Sequence, residues 1–207
     1  MRIAILGAGL VGQALGSAWT RLGHSVVFGV PYPSQPKYER VAGRIGTVPE
    51  AVAGADAIVL AVPWHAAQEA LKAAGDLSGR VLIDCTNPLT KGEEGYGLMA
   101  AALSGGERVA NWASGARVCK TLNQTSWENM ADATGYPAQP AMFVACDDPA
   151  AKRLTMELVS CLGFEPIDAG ALRMARFLEP LAVLWLELAT HRGLGRGIAF
   201  GLLRQSG

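Results

Sequence analysis

The residues with the clearest chemistry are Gly7-Ala8-Gly9-Leu10-Val11-Gly12, a G-x-G-x-x-G turn. Apolar Ile3 to Leu6 precede it, and apolar Leu10, Val11, Ala14, Leu15, Ala18, Trp19 and Leu22 follow at helical spacing. A strand, a glycine turn and a helix in that order make a cradle for a dinucleotide pyrophosphate. Gly7 permits the tight turn, Gly9 lets phosphate approach the main chain, and Gly12 lets the helix pack against the strand. Unpaired N–H groups and the positive end of the helix dipole then face the anion. The alternative is a turn that needs glycine for geometry alone, and the strand and helix pattern that continues beyond it weighs against that.

More candidate chemistry falls where later apolar strands end. Ala61-Val62-Pro63-Trp64-His65-Ala66 follows one strand, and Asp84-Cys85-Thr86-Asn87-Pro88-Leu89 follows another. Val62 and Pro63 suit packing on a nicotinamide ring, and Asn87 suits holding its carboxamide or ribose. The competing reading is that Pro88 turns the chain and Asn87 caps it. Thr121-Leu122-Asn123-Gln124 add polar groups for the floor or rim of a second ring system. No catalytic acid or base is assigned. His65 reads as a surface or capping residue, and His24 and His191 as structural. Lys120 or Tyr96 would be the proton donor if the substrate were a carbonyl or imine.

Cofactor choice is read after strand two, where the chain offers Phe28-Gly29-Val30-Pro31. That is neither the acid that holds the ribose of NAD nor the arginine that holds the extra phosphate of NADP. No carboxylate there repels a 2′-phosphate, and Ser34, Lys37, Arg40 and Arg44 lie just downstream. NADP is favoured, with an ordinary solvated cationic face as the competing account of those residues and NAD as the alternative cofactor.

The elements that must position these residues alternate along the chain. His24 to Phe28, Asp56 to Val62, Arg80 to Asp84, Arg117 to Leu122 and Ala141 to Ala145 read as strands. Pro63 to Ala74, Ser126 to Ala131 and Pro149 to Leu162 read as helices, with Pro63 and Pro149 in the first turn. The expected class is α/β, a Rossmann-type, doubly wound, mostly parallel sheet with a small C-terminal helical segment. Val30 to Pro36 is a loop. Asn87 to Glu107 is loop-rich, with a short helix expected near Leu98 to Leu103. Ala171 to Arg204 reads as helical and apolar nearly all round, which suits cover from the sheet domain and from a second copy of the chain, with cover by its own chain alone as the competing reading. The division is a dinucleotide-binding domain over 1–169 and a helical, dimer-forming appendage over 170–207.

Composition excludes some partners. With 207 residues, half of them apolar, the chain can bury a full core. Its formal net charge is zero, so nothing argues for nucleic acid or an anionic membrane, and the expected partners are small-molecule cofactors. No cleaved leader or membrane-length apolar run is read, which makes the cytoplasm the default location. Cys85, Cys119, Cys146 and Cys161 lack metal-ligand spacing, and three of them read as buried thiols.

Taken together, the glycine turn, A-V-P-W, I-D-C-T-N-P-L, V-C-K-T-L-N-Q-T-S-W-E-N-M-A-D and E-P-L-A-V-L-W-L-E-L-A resemble the NADPH:coenzyme F420 oxidoreductase family over nearly the whole chain. The resemblance implies a Rossmann domain with a small helical C-terminal part, commonly dimeric. It also implies hydride transfer between a nicotinamide and coenzyme F420, an 8-hydroxy-5-deazaflavin, or a flavin-like acceptor. Related domains serve as NADPH-to-flavin modules in membrane metalloreductases. Carried over, the phosphate turn falls on Ala8, Gly9, Leu10 and Val11, and the nicotinamide neighbourhood on Val62, Ala66, Asn87 and Gln124. The adenosine phosphate pocket falls on Val30 and Pro31, where the family usually carries Ser or Thr followed by Arg. Loss of that arginine removes a bidentate phosphate clamp. An NAD(P)-dependent reductase of a small carbonyl or imine compound and a non-catalytic dinucleotide-binding regulatory module are the competing readings.

Overall fold

The computed structural model describes residues 1–93 and 95–205; residue 94 of the loop-rich stretch and residues 206–207 of the C-terminal segment lie outside the described residues. The chain opens with β1 (Arg2–Leu6), α1 (Leu10–Arg21), β2 (Ser25–Gly29), β3 (Arg44–Gly46), α2 (Val48–Val52), β4 (Ala57–Leu60), α3 (Trp64–Ala74) and β5 (Val81–Asp84). A hairpin of β6 (Leu89–Gly92) and β7 (Gly95–Leu98) interrupts the alternation. Then follow α4 (Gly105–Trp112), β8 (Arg117–Lys120), α5 (Trp127–Ala131), β9 (Ala141–Cys146), α6 (Pro149–Ser160), β10 (Glu165–Gly170) and α7 (Ala175–Leu186).

The main sheet runs β10-β9-β8-β5-β4-β1-β2-β3. From β3 across to β8 all neighbours are parallel, while β9 lies antiparallel to β8 and carries β10 parallel to itself. Strand order reverses between β1 and β4, which opens a crevice at their carboxyl ends. Side-chain alternation along β1 builds both layers. Ile3 and Ile5 join Leu15 and Trp19 of α1 and Leu158 of α6 on one face. Ala4 and Leu6 join Val48 of α2, Leu71 of α3 and Val109 of α4 on the other. Each large side chain so buried contributes roughly 1.5–3 kcal/mol. The buried Trp19 indole keeps its hydrogen bond, donating to the Leu158 carbonyl at 3.1 Å.

Two sequence expectations are corrected. Leu98 to Leu103 is not a helix: β7 ends at Leu98, and the helix begins at Gly105. Ser104 and Glu107 form a capping box there, with Ser104 N–H donating to Glu107 Oε2 at 2.9 Å and Glu107 N–H to Ser104 Oγ at 3.3 Å. Nor is Ala171 to Arg204 helical throughout. α7 continues only through a wide π turn to His191, after which Gly193 and Gly195 take positive φ of 73° and 75° and end it. The segment beyond is a strap held by its carbonyls: Ile198 O accepts from Trp185 Nε1 at 2.9 Å and from Asn129 Nδ2 at 3.0 Å, and Phe200 O from Ala141 N at 2.8 Å. No helix among the described residues is long and apolar enough to cross a membrane.

Candidate functional site

The glycine turn links β1 to α1, and its three glycines have different neighbours. At Gly7 φ is +103°, and a Cβ would stand 2.5 Å from the Ala61 carbonyl oxygen. At Gly12 a Cβ would overlap the Gly7 carbonyl oxygen. Both glycines are demanded by the protein's own packing. Gly9 is not: its φ is −79°, and nothing in the protein lies within 4 Å of a Cβ there. Gly9 is also the N-cap of α1, with no side chain capping the helix and no acidic residue in its first turn. The N-terminal end of α1 therefore keeps its dipole unopposed beside open space.

That space is a cavity of about 830 Å³ at the ends of β1, β2 and β4. Of the predicted residues it takes Gly7, Ala8, Gly9, Gly29, Val30, Pro31, Val62, Pro63 and Ala66 into its wall. Leu10, Val11 and Gly12 belong to the first turn of α1 behind it, and Leu10 is 62% exposed. Sequence reasoning missed Tyr32, Tyr38 and Glu69 in this wall and named Lys37 only as a nearby cation. Lys37 is the one cation among the described lining residues. It sits in a short 3₁₀ turn started by Pro36, its ammonium 4.9 Å from the Tyr38 ring. Arg40 and Arg44 do not line the cavity.

A second cavity, about 410 Å³, adjoins the first through Val62 and Pro63 and continues over the ends of β4 and β5. Trp64, His65, Thr86, Asn87 and Met99 line it with Cys85, whose thiol is pushed well above its ordinary pKa by burial and by the Asp84 carboxylate, so it stands neutral. Among the predicted residues only Asn87 adds to this wall. Asn123 and Gln124 stand behind it, and Pro88 lies outside the lining. Asn87 Nδ2 donates to the Asn123 carbonyl and Asn123 Nδ2 donates to Asn87 Oδ1, both at 2.8 Å. Gln124 Nε2 donates to Asn123 Oδ1 at 2.8 Å, while Gln124 exchanges two bonds of 3.2 Å with the Phe143 main chain of β9. Buried Leu122, at φ +55°, turns the chain so that Asn123 faces Asn87.

Beneath Thr86 lies a cluster that sequence reasoning did not assemble: Asp84 at the end of β5, Lys120 at the end of β8 and Glu179 in α7, each at most 2% exposed. Lys120 Nζ lies 2.9 Å from Asp84 Oδ2 and 3.3 Å from Glu179 Oε1, and also donates to the Thr86 carbonyl. Burial by itself lowers the Lys120 pKa, but the two carboxylates more than offset it and hold the ammonium above its ordinary value. Lys120 is thus a fixed cation. The signal that could have found the cluster is two acids and one base, Asp84, Glu179 and Lys120, each inside an otherwise apolar run.

The family model for coenzyme F420-dependent NADP oxidoreductases matches residues 2–88. Over 208 residues the chain is 30% identical to the F420-dependent NADP reductase of Methanothermobacter thermautotrophicus, covering 91% of this chain and 89% of that protein. It is 28% identical to the metalloreductase STEAP3 of Rattus norvegicus, covering 96% of this chain, and it spans 40% of the length of that relative. A crystal structure of a candidate F420-dependent NADP-reductase from Arthrobacter sp. FB24 superposes with a TM-score of 0.90 at 30% identity, covering 99% of this chain and all of that one. The chain belongs to the family of coenzyme F420-dependent NADP oxidoreductases.

Proposed function

We propose that this protein transfers hydride between NADPH and a deazaflavin such as coenzyme F420, or a flavin-like ring. The observation that carries the proposal is Gly9: a glycine that the fold does not require, at an uncapped helix N-terminus, opening on a cavity of dinucleotide size. In this reading Gly7, Ala8, Gly9, Leu10, Val11 and Gly12 cradle the pyrophosphate. Gly29 and Val30 border the adenosine ribose, and Lys37 supplies the 2′-phosphate with the cation that Pro31 does not. Val62, Pro63 and Ala66 support the chain of the cofactor toward its nicotinamide. Asn87, steadied by Pro88, Asn123 and Gln124, positions the ring, and the acceptor stacks in the second cavity.

When bound, NADPH supplies a hydride and leaves as NADP⁺, while the acceptor takes that hydride together with a proton from solvent. The protein's own contribution is orientation and exclusion of water: the locked Asn87–Asn123 amide pair fixes the wall at Asn87, and Trp64 and Met99 add apolar surface to the same cavity. Reduction of a small carbonyl or imine through Lys120 is disfavoured because that ammonium is fully buried, is engaged by two carboxylates and the Thr86 carbonyl, and lines neither cavity. The apolar outer face of α7, with Phe177 64% and Leu184 49% exposed, is the surface we assign to a second copy of the chain.

The test mixes purified protein with NADPH or NADH and either F420 or FMN and follows the acceptor's absorbance. Bleaching of the acceptor with NADPH is expected. Tight NADPH binding without turnover on any acceptor would leave a regulatory dinucleotide module in its place.

A further inference from the structure

Hydride passing between stacked rings uses neither an acid nor a base from Asp84, Lys120 and Glu179, yet all three are buried under the wall of the second cavity. Their hydrogen bonds define their charges. Asp84 Oδ2 accepts from Lys120 Nζ at 2.9 Å, and Asp84 Oδ1 accepts from the Thr86 N–H at 2.9 Å and the Thr86 hydroxyl at 2.7 Å. Glu179 Oε2 accepts from Gly105 N–H and Oε1 from Gly106 N–H, both at 2.9 Å, with Lys120 Nζ 3.3 Å from Oε1. Every carboxyl oxygen faces a donor, so both groups are carboxylates. One ammonium therefore stands against two of them, and the dipole of α4 offsets only part of the surplus.

A surplus buried charge is costly, and Asp84 alone would neutralise Lys120, although Glu179 also ties α7 to the first turn of α4 through two main-chain donors. Glu179 is nevertheless provided for with care. Both acceptor bonds come from a Gly-Gly pair, and a Cβ on Gly105 would stand 2.9 Å from Glu179 Oε1. The surplus lies next to the cavity. Thr86 lines the cavity, and the cluster grips it by its N–H, its hydroxyl and its carbonyl.

We infer that the Asp84–Lys120–Glu179 cluster is a built-in counter-charge for the cationic ring of an oxidised nicotinamide, so that the protein holds NADP⁺ more tightly than NADPH. The inference rests on the proposed reading of these cavities as the dinucleotide site. Its consequence is that bound NADPH is a stronger hydride donor than free NADPH, because the form it becomes is the better bound one. The cluster acts through space on an equilibrium and touches no reacting atom.

Calorimetric titration of NADP⁺ and NADPH into wild type, Glu179→Gln and Asp84→Asn, with thermal melts to verify folding, reads this directly. Wild type is expected to bind NADP⁺ several-fold more tightly than NADPH. Each variant brings the cluster to neutrality and should raise the ratio Kd(NADP⁺)/Kd(NADPH) by about tenfold, equivalent to about 30 mV in the potential of the bound two-electron couple. A merely structural role weakens both forms by the same factor, and an unchanged ratio in a folded variant overturns the inference. Should neither variant fold, the wild-type affinities decide: equal binding, or preference for NADPH, also overturns it. Failure of wild type to bind either form removes the dinucleotide reading itself, and the inference with it.

Discussion

The two halves of the cleft are built by different physics. Around β1 and β2 the wall is mostly main chain and apolar surface, with Gly7, Ala8, Gly9, Gly29 and Val30, and among the described lining residues Lys37 is the one cation and Glu69 the one carboxylate. Around β5 and β8 it is backed by side chains that hold one another, the Asn87–Asn123–Gln124 amides and the Asp84–Lys120–Glu179 charges. The first half is a shape with free donors. The second is a rigid polar frame whose own hydrogen bonds are already made. A pyrophosphate needs donors and space, and little else, whereas a reacting ring must be held to a fraction of an ångström.

The comparison breaks hardest at Lys120. Lys120→Met leaves two buried carboxylates without their shared cation, and we expect a loss of about 3–5 kcal/mol in urea unfolding. A loss under 1 kcal/mol would mean that the cluster does not behave as a buried charge network. Next in size is a contrast within the turn itself. Gly12→Ala drives a methyl into the Gly7 carbonyl and should destabilise the fold by about 3 kcal/mol. Gly9→Ala meets nothing and should cost at most about 1 kcal/mol of stability. Its NADPH affinity should nonetheless fall at least tenfold, about 1.4 kcal/mol. Equal NADPH binding by Gly9→Ala and wild type would remove the pyrophosphate from this turn.

How much of this was legible in the sequence follows the same division. The glycine turn and the apolar strands β1, β2, β4, β5, β8 and β9 are local patterns, and the sequence shows them. Arg44–Gly46 and Glu165–Gly170 do not look like strands, one because it has three residues, the other because Pro166 and Asp168 interrupt it. Both are edge strands, where proline and charge are tolerated. The reversal of β9 follows from pairing, which no residue pattern encodes. In the site, Asn87, Asn123 and Gln124 were each visible at a strand end, but their mutual bonding depends on two strands meeting in register and on the left-handed turn at Leu122. The charge cluster draws one residue from each of β5, β8 and α7, separated by 36 and 59 positions along the chain, so no local window contains it.

A smaller effect sharpens the adenosine half. Lys37→Ala removes the one cation among the described lining residues there, and NADPH affinity should fall by roughly fivefold, about 1 kcal/mol, while NADH affinity stays unchanged. The difference should shrink with added salt, as expected for an exposed cation. Parallel loss for NADPH and NADH would assign Lys37 to the general shape of the wall instead of to the 2′-phosphate.

The smallest effect lies at the support of the other half. The Arg176 guanidinium, bonded to both Glu107 oxygens at 2.7 and 2.9 Å, is the main reason the Glu107 carboxyl is held at about 2 instead of the ordinary 4.5; burial opposes it, and Ser104 adds to it. A carboxyl depressed in the folded state contributes its full stability above the unfolded value and loses it as pH falls through the folded one. The contribution is therefore present above about 4.5 and gone below about 2. Arg176 is half exposed, so solvent screening keeps the whole effect under about 1 kcal/mol. Urea unfolding of wild type and Glu107→Gln at pH 6, 4 and 3 should show a stability difference that narrows with acid. The same acid step loosens the capping box that orders Gly105 and Gly106, the two donors on Glu179. A difference that does not change with pH would detach Glu107 from the frame beneath the second cavity and leave Glu179 anchored by Lys120 and the two glycines alone.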